Sequence, residues 1–451
     1  MTIDNLPDVV LLGIFDFYMG EDPDDGGIEA WHTLVHVCRN WRNVVFGSPR
    51  RLNLRLYCSA ETPVRMLGVW PLLPIIVRVW SVDRWDNGNI IAALEHHDRI
   101  SDLVIFDIPS SETEKALAAL QQPFPALTYL HFEFETESAP VLTASFLGGF
   151  APALQSLFLV CIPFPRLPNL LLSATHLVHL NIRRIPRSGY ISPEAMVTGL
   201  SVLTRLESLG IGFESTWSQP DRNARSPPTR ALLPVLTLMW FKGAIEYLED
   251  LVARIDVPLL DKLTIIFPDQ SIFHFPRLTQ FISRTPKFKA HDEAHVIFYY
   301  EDVMVALPRT VTSDGALELR ISNWEPDWRL SSVTQACGSS FPRALIRTVE
   351  RLYIRSRYSW QNDTENNQWL ELFRPFTAVK VLYITSKLIP HIVSALKELV
   401  GVRVTEVLPA LQFLFLGGPL SSGLVEETMG KFIAARQIAG HPVTISLWEE
   451  E

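Results

Sequence analysis

Cysteine is scarce in this sequence and never clustered: Cys38, Cys58, Cys161 and Cys337 stand far apart with no C-x-x-C pair. That spacing argues against a disulfide framework or a thiolate metal site and fits a reducing compartment. Long apolar runs are missing too. Nowhere do about eighteen apolar residues follow one another, and Met1-Thr-Ile-Asp-Asn-Leu-Pro-Asp8 has no basic segment leading into an apolar one. The expectation is an intracellular chain, in cytoplasm or nucleus, with no membrane partner. Excess positive charge is absent as well. Forty basic residues face 49 acidic ones, a formal net charge of −9, so bulk nucleic acid meets no general attraction.

Catalytic signatures are equally thin. There is no G-x-S-x-G, no P-loop and no G-x-G-x-x-G, so neither an enzyme nor a cofactor is expected. His291-Asp-Glu-Ala-His295 resembles a zinc site only superficially, because its carboxylates fit neither H-E-x-x-H nor H-x-x-E-H. Were both histidines on one strand, they would stand about 13 Å apart, too far for one ion. Asp22, Asp24 and Asp25 miss the calcium-loop spacing, and no Glu closes the set. No metal is expected. The arginines at 39, 42, 50, 51 and 55 suit a solvated or interdomain face better than nucleic acid at this net charge.

What is present is apolar and periodic. Hydrophobic residues make up 47% and charged ones 20% of 451 residues, a folded composition in a chain longer than one core usually supports. At the N-terminus, Pro7 suits a helix start, and Leu6, Val10, Ile14 and Phe17 recur at helical spacing. The stretch Glu21–Gly27, with proline, two glycines and four carboxylates, is a solvated loop. Trp31, Leu34, Cys38, Trp41 and Val45 then predict a second helix, ended by Gly47-Ser48-Pro49. A helical module of about forty residues is marginal alone and needs something to pack against.

Leu6-Pro7-Asp8-Val-Val-Leu11-Leu12-Gly13-Ile14-Phe15, followed by Leu34-Val-His-Val37-Cys38-Arg39-Asn-Trp41-Arg42, resembles the F-box pattern of Leu-Pro, an I-F pair and V-C-x-x-W. The resemblance implies docking on a Skp-type adaptor and, through it, a cullin scaffold. Carried onto this chain, it implies Leu6, Pro7, Leu11, Ile14, Phe15, Val37 and Trp41 as adaptor-facing or module-core residues, two roles that the sequence does not separate. The acidic loop is longer than the family's usual link between the halves.

Beyond Pro49 an apolar phrase, L-x-x-L-x-L, recurs. It appears as Ile100-Leu103-Ile105, Leu127-Leu130-Phe132, Leu154-Leu157-Leu159, Leu177-Leu180-Ile182, Leu206-Leu209-Ile211, Leu233-Leu236-Leu238 and Leu260-Leu263-Ile265, at steps of 27, 27, 23, 29, 27 and 27. Looser copies follow at Ala316, Val349, Val379 and Leu411, with a degenerate one at Val296-Phe298. Between them lie helical stretches: Ser111-Glu-Thr-Glu114 reads as a capping box opening Lys115–Gln121, and Ser192-Pro193 as another helix start. One strand and one helix per period resembles leucine-rich repeats, here without their Asn or Cys ladder.

The fold class expected is therefore α/β: a helical F-box-like module over 1–50, a connecting segment and first repeat over 51–98, and an irregular leucine-rich-repeat arc over 99–448 with parallel strands on its concave face and helices outside. An F-box followed by such repeats resembles the large fungal F-box-like groups, which implies a substrate-recognition subunit of a ubiquitin ligase. A repeat scaffold that holds partners without ubiquitylation shares the same architecture.

In L-x-L the middle residue points away from the core. The outward set is then His131, Phe158, Asn181, Gly210, Thr237, Thr264, Arg320, Tyr353, Tyr383 and Phe415. Arg351, Tyr353, Arg355 and Arg357 alternate on one strand, with Arg320 expected on the unit before and Tyr383 on the unit after. Arginine forks beside tyrosines suit an extended target peptide carrying carboxylate or phosphate groups, so Arg320, Arg351, Tyr353, Arg355, Tyr383 and Phe415 are the candidate target site.

Overall fold

The structure, a computed structural model, describes residues 6–19, 30–58, 71–79, 89–108, 112–134, 139–215, 230–268, 274–289, 291–308, 317–322, 326–357, 366–399, 401–418 and 423–449. It is mixed α/β, with largely parallel sheets, and forms two compact units, Met1–Ile191 and Ser192–Glu451. The acidic stretch Glu21–Gly27 lies outside the described residues. Among those described, no helix is long and apolar enough to cross a membrane.

The first unit begins with helix α1 (Asp8–Met19), whose opening amides at Val10 and Leu11 donate to the Pro7 carbonyl at 2.9 and 3.1 Å. The single second helix expected from the apolar spacing is in fact two. Cys38 is extended (φ −157°, ψ 170°) and its Sγ accepts the Trp41 amide at 3.4 Å, dividing α2 (Ala30–Val37) from α3 (Arg39–Gly47). Arg42 Nε donates to the Val35 carbonyl at 3.0 Å across the break. A one-residue interruption leaves the three-to-four spacing nearly in phase, so periodicity alone conceals it.

Leu11, Leu12, Phe15, Trp31, Leu34, Val35, Val44 and Val45 form the core of these three helices. Two contacts tie the module to the sheet beside it: Trp31 Nε1 donates to the Arg55 carbonyl at 2.9 Å, and the Arg55 guanidinium pairs with Asp102 at 3.0 Å. Other arginines of the basic stretch are also engaged, Arg51 with Asp16 at 3.4 Å and Arg42 as above.

Six strands then pair in parallel and in chain order: β1 (Leu56–Cys58), β2 (Ile75–Val79), β3 (Ile100–Phe106), β4 (Tyr129–Glu133), β5 (Ser156–Val160) and β6 (His179–Ile185). The segment between the module and Ile100 thus supplies two strands. Each phrase residue from Ile100 to Ile182 is buried, and β4 and β5 alternate buried with half-buried positions, as a strand with one covered face must. Helices α4 (Asn89–Leu94), α5 (Thr113–Ala119) and α6 (Leu167–Leu171) lie between the strands in sequence. The helix expected over Lys115–Gln121 is α5, which starts and ends two residues earlier. Its N-cap is Glu112, without a side-chain cap bond, and Ser111 lies outside the described residues.

The second unit opens with α7 (Pro193–Leu200), where Ser192 Oγ accepts the Ala195 amide at 3.2 Å and Pro193 occupies the first turn, as the Ser-Pro pair predicts. Helices α8 (Ile245–Ala253) and α9 (Pro276–Arg284) come next. The strands are β7 (Ser208–Phe213), β8 (Ala231–Leu232), β9 (Leu238–Lys242), β10 (Ile255–Asp256), β11 (Lys262–Pro268), β12 (Glu293–Phe298), β13 (Asp302–Leu307), β14 (Leu317–Ser322), β15 (Arg351–Ser356), β16 (Val381–Ile384), β17 (Phe413–Leu416) and β18 (Thr444–Leu447). β8 and β10 pair separately. The main sheet departs from the all-parallel, chain-order arrangement in its middle, where the spatial order is β11-β14-β13-β12-β15 and β13 is antiparallel to both neighbours. The Tyr299 amide closes the tight β12–β13 turn on the Asp302 carbonyl at 2.8 Å, a connection only antiparallel strands can use.

One phrase is also displaced. Leu233 and Leu236 are buried, but Leu238 is exposed, and Met239 and Phe241 face the core in its place. Thr237 precedes the strand, and Trp240 takes the outward position opposite Gly210 and Thr264. A Cβ at Gly212 would lie 2.6 Å from the Trp240 ring, so this indole rests on bare backbone, the close approach that glycine in a strand permits.

The Trp31 bond gives a direct test of the link between module and sheet. Trp31→Phe leaves the Arg55 carbonyl without that donor and is expected to cost about 1–3 kcal/mol, read as a lower urea midpoint for the helical circular-dichroism signal.

Candidate functional site

Two surfaces hold the residues singled out from sequence. On the N-terminal module the structure separates the roles left merged. Leu11 and Phe15 are fully buried, and Phe15 meets the half-buried Trp41 with ring centroids 4.9 Å apart. Pro7 is exposed and Leu6 half-buried. Ile14 (42% exposed) and Val37 (54%) are open to solvent, and α1 also exposes Val9, Val10, Tyr18 and Phe17, the last at 91%. Positions 7, 10, 14, 17 and 18 repeat at helical spacing, so α1 presents an unburied apolar stripe beside its buried one. Phe17 and Tyr18 complete that stripe; their exposure cannot be read from spacing alone.

On the outward face of the Ser192–Glu451 sheet, the parallel register of β12, β15, β16 and β17 aligns His295, Tyr353, Tyr383 and Phe415 in one row. The rings stack with centroid separations of 4.5, 4.2 and 4.8 Å and interplanar angles of 26°, 3° and 12°. Their faces are turned to one another, which leaves edges and hydroxyls outward. Trp448, just beyond β18, sets its ring edge-on to Tyr383 at 5.4 Å and Tyr353 at 6.4 Å. Burial first, then Glu293 and Tyr383, push the Tyr353 hydroxyl up to about 12, so it remains a donor at neutral pH.

The arginines differ sharply from one another. Arg351 pairs with Asp292 at 2.7 Å and Glu293 at 3.4 Å, and Arg320 pairs with Glu318 at 2.5 Å. Arg355 has no carboxylate partner among the described residues, and its Nε is buried without a hydrogen bond. Its guanidinium carbon sits 5.3 Å from the Tyr353 ring centroid and 5.6 Å from that of Trp448, an arrangement in which two π faces hold a cation's position.

Arg320 does not lie on the unit next to Tyr353, as expected from chain order. It stands on β14, opposite Met304, with β13 and β12 between it and β15. The intervening positions Ile297, Met304 and Ala306 form an apolar cluster with Tyr299 against it. Trp448 and this cluster carry no repeat signature, which is why the phrase did not find them.

Of the remaining outward positions, His131 stacks on Phe158 at 5.5 Å, and Asn181 accepts from Arg183 Nε at 2.9 Å. His291 and His295 do not share a strand face. His291 precedes β12, is buried, and its Nδ1 lies 3.1 Å from the Pro308 carbonyl oxygen, while His295 lies in the outward row. Among the described residues no group of three or more His, Cys, Asp or Glu side chains converges as a metal site would require.

No family model matches the chain, and no curated protein matches it in sequence.

His295 sits 2.5 Å from Glu293 Oε1 through Nε2, yet burial outweighs that hydrogen bond and lowers its pKa below 6.5. A histidine depressed in the folded state stabilises above its unfolded value and loses that contribution as pH falls through the folded one. Chemical unfolding between pH 8 and pH 5 should therefore show stability declining below about 6.5, with a shallower decline in His295→Phe, which keeps a ring in the row and cannot charge.

Proposed function

We propose that this protein is a non-catalytic, substrate-recruiting subunit of a Skp-adaptor/cullin ubiquitin ligase, an F-box-like module followed by an irregular leucine-rich-repeat arc. The observation that carries the reading is the exposed apolar stripe of α1 beside the buried Leu11 and Phe15. Four large apolar side chains at 10, 14, 17 and 18 gain nothing from the module's own fold, and burying them requires another protein. Leu6-Pro7 lead into α1, and Val37-Cys38-x-x-Trp41 spans the α2–α3 junction, where Val37 is also exposed; both support a Skp-type adaptor as the occupant. Strands β3, β5, β6, β9 and β11, each from the L-x-x-L-x-L phrase and each followed by a helix, support the arc.

Ile14→Asp and Phe17→Asp each place a charge on the exposed stripe without touching the core. Each is expected to weaken binding to a purified Skp-type adaptor at least tenfold, about 1.4 kcal/mol, with an unchanged melting curve. Phe15→Ala should instead lower stability by about 3–5 kcal/mol. Adaptor binding indifferent to both aspartates, or no binding by the wild-type chain, refutes the docking face. Point substitutions serve better than deleting the first fifty residues, because Trp31 bonds to Arg55 beyond the cut.

The target is captured on the outward face of the Ser192–Glu451 sheet, with the aromatic row as floor and Arg355 as the available cation for a carboxylate or phosphate. Arg355→Ala is expected to lose captured partners in quantitative affinity purification while retaining the adaptor. Arg351→Ala, whose charge is already matched by Asp292 and Glu293, should retain both. Equal partner recovery from wild type and Arg355→Ala sinks this assignment.

A further inference from the structure

The helical layer of the second unit contains a cleft that the recruiting function leaves unused. It measures about 450 Å³, a volume in the range of small-molecule sites, and its lining includes Cys337, Gly338, Arg343, Arg347, Glu371 and Arg374. Its walls are the end of helix α10 (Pro326–Gln335) with the π-helical turn Ala336–Ser340 that continues it, the short helix α11 (Arg343–Ile346), and the end of α12 (Asn366–Phe373).

Three guanidinium groups meet one carboxylate in this lining. Arg374 is fixed by Glu371 at 3.0 Å and Glu406 at 3.1 Å. Among the described residues the guanidinium groups of Arg343 and Arg347 have no ion pair and no hydrogen bond. Arg347 continues the helical turn of Arg343, with φ −73° and ψ −9° and its amide on the Arg343 carbonyl at 3.1 Å. Their side chains therefore leave the same face as an i, i+4 pair, a like-charge juxtaposition that destabilises a helix by a few tenths of a kcal/mol unless an anion sits between them.

The π turn shapes the opposite wall. The Phe341 amide reaches the Ala336 carbonyl at 3.1 Å, and Gly338 has nothing within 4 Å of where a Cβ would stand, so the cleft keeps its space at that point. Burial holds the Cys337 thiol up at about 12, which keeps it neutral beside any bound anion. π turns within helices occur frequently at functional sites.

We propose that this cleft binds a small soluble molecule carrying two or more phosphate groups, gripped by Arg343 and Arg347 and oriented by Arg374. Planar guanidinium forks match phosphate oxygens in pairs. The volume of the cleft suits a compact ligand. This site is independent of the ubiquitin-ligase reading.

The test is isothermal titration calorimetry of the full chain with inorganic pyrophosphate at constant ionic strength. Binding with Kd below about 1 mM is expected, weakened at least tenfold by the Arg343→Ala/Arg347→Ala pair and, separately, by Gly338→Leu, which fills the cleft without altering charge. Both variants change exposed positions, and their circular-dichroism melts serve as the folding control. Absence of binding to the wild type, or affinity unchanged in the arginine pair, overturns the proposal. Loss with the arginine pair but not with Gly338→Leu overturns it as well, because the anion would then be held on open surface outside the cleft.

Discussion

Parallel pairing begins one residue before strands β4, β5, β6, β11, β16 and β17. The amide of Thr128 donates to the Ser101 carbonyl at 2.7 Å, that of Gln155 to Thr128 at 2.8 Å and that of Val178 to Gln155 at 2.7 Å. In the second unit Asp261 reaches Thr237, Lys380 reaches Glu350 and Gln412 reaches Lys380, each at 2.8 Å. The donor directly follows the first apolar residue of the phrase, as Thr128 follows Leu127, so burying that residue delivers the next amide to its neighbour. Register is thereby set at the strand entrance. A slip of one residue would turn the whole apolar set outward, and the stacked row of His295, Tyr353, Tyr383 and Phe415 exists because no slip occurs between those four strands.

Several buried backbone carbonyls outside the strands are satisfied by arginine side chains. Arg99 reaches the Leu73 carbonyl at 2.9 Å, Arg284 those of Val252 and Ile255 at 2.7 and 2.6 Å, and Arg329 that of Tyr299 at 2.7 Å. Arg436 is fully buried and donates to Val404 at 3.1 Å and Leu411 at 3.0 Å. Glu249 performs the converse task, accepting the Arg277 and Leu278 amides at 3.0 and 2.7 Å where α9 has no side-chain cap of its own. Buried backbone groups must be paired, and these long side chains reach carbonyls 25 to 32 residues away in sequence.

Much of this was legible in the sequence. The phrases at Leu127, Leu154, Leu177 and Leu206 marked strand positions and inward faces, because two apolar positions flanking one residue define a one-sided strand. Leu233-Leu236-Leu238 misled by one residue, since Leu238 copies the pattern while Met239 and Phe241 fill the core. The reversal at β12 to β14 was hidden because strand direction leaves no trace in alternation; Asp302–Leu307 reads the same either way. Arg320 was misplaced as a result. Which arginines are neutralised, and that Trp448 lies against the row, depend on contacts between residues distant in sequence, which spacing does not encode.

Arg284 and Arg436 belong to the helix that follows the loop they satisfy. During synthesis, the carbonyls of Val404 and Leu411 thus remain without this donor until the helix Gly423–Ile438 has left the ribosome. The same delay separates Val252 and Ile255 from Arg284. Completion of these two loops trails the growing chain by one helix, so a ribosome paused between a loop and its arginine holds a segment whose polar backbone still faces water.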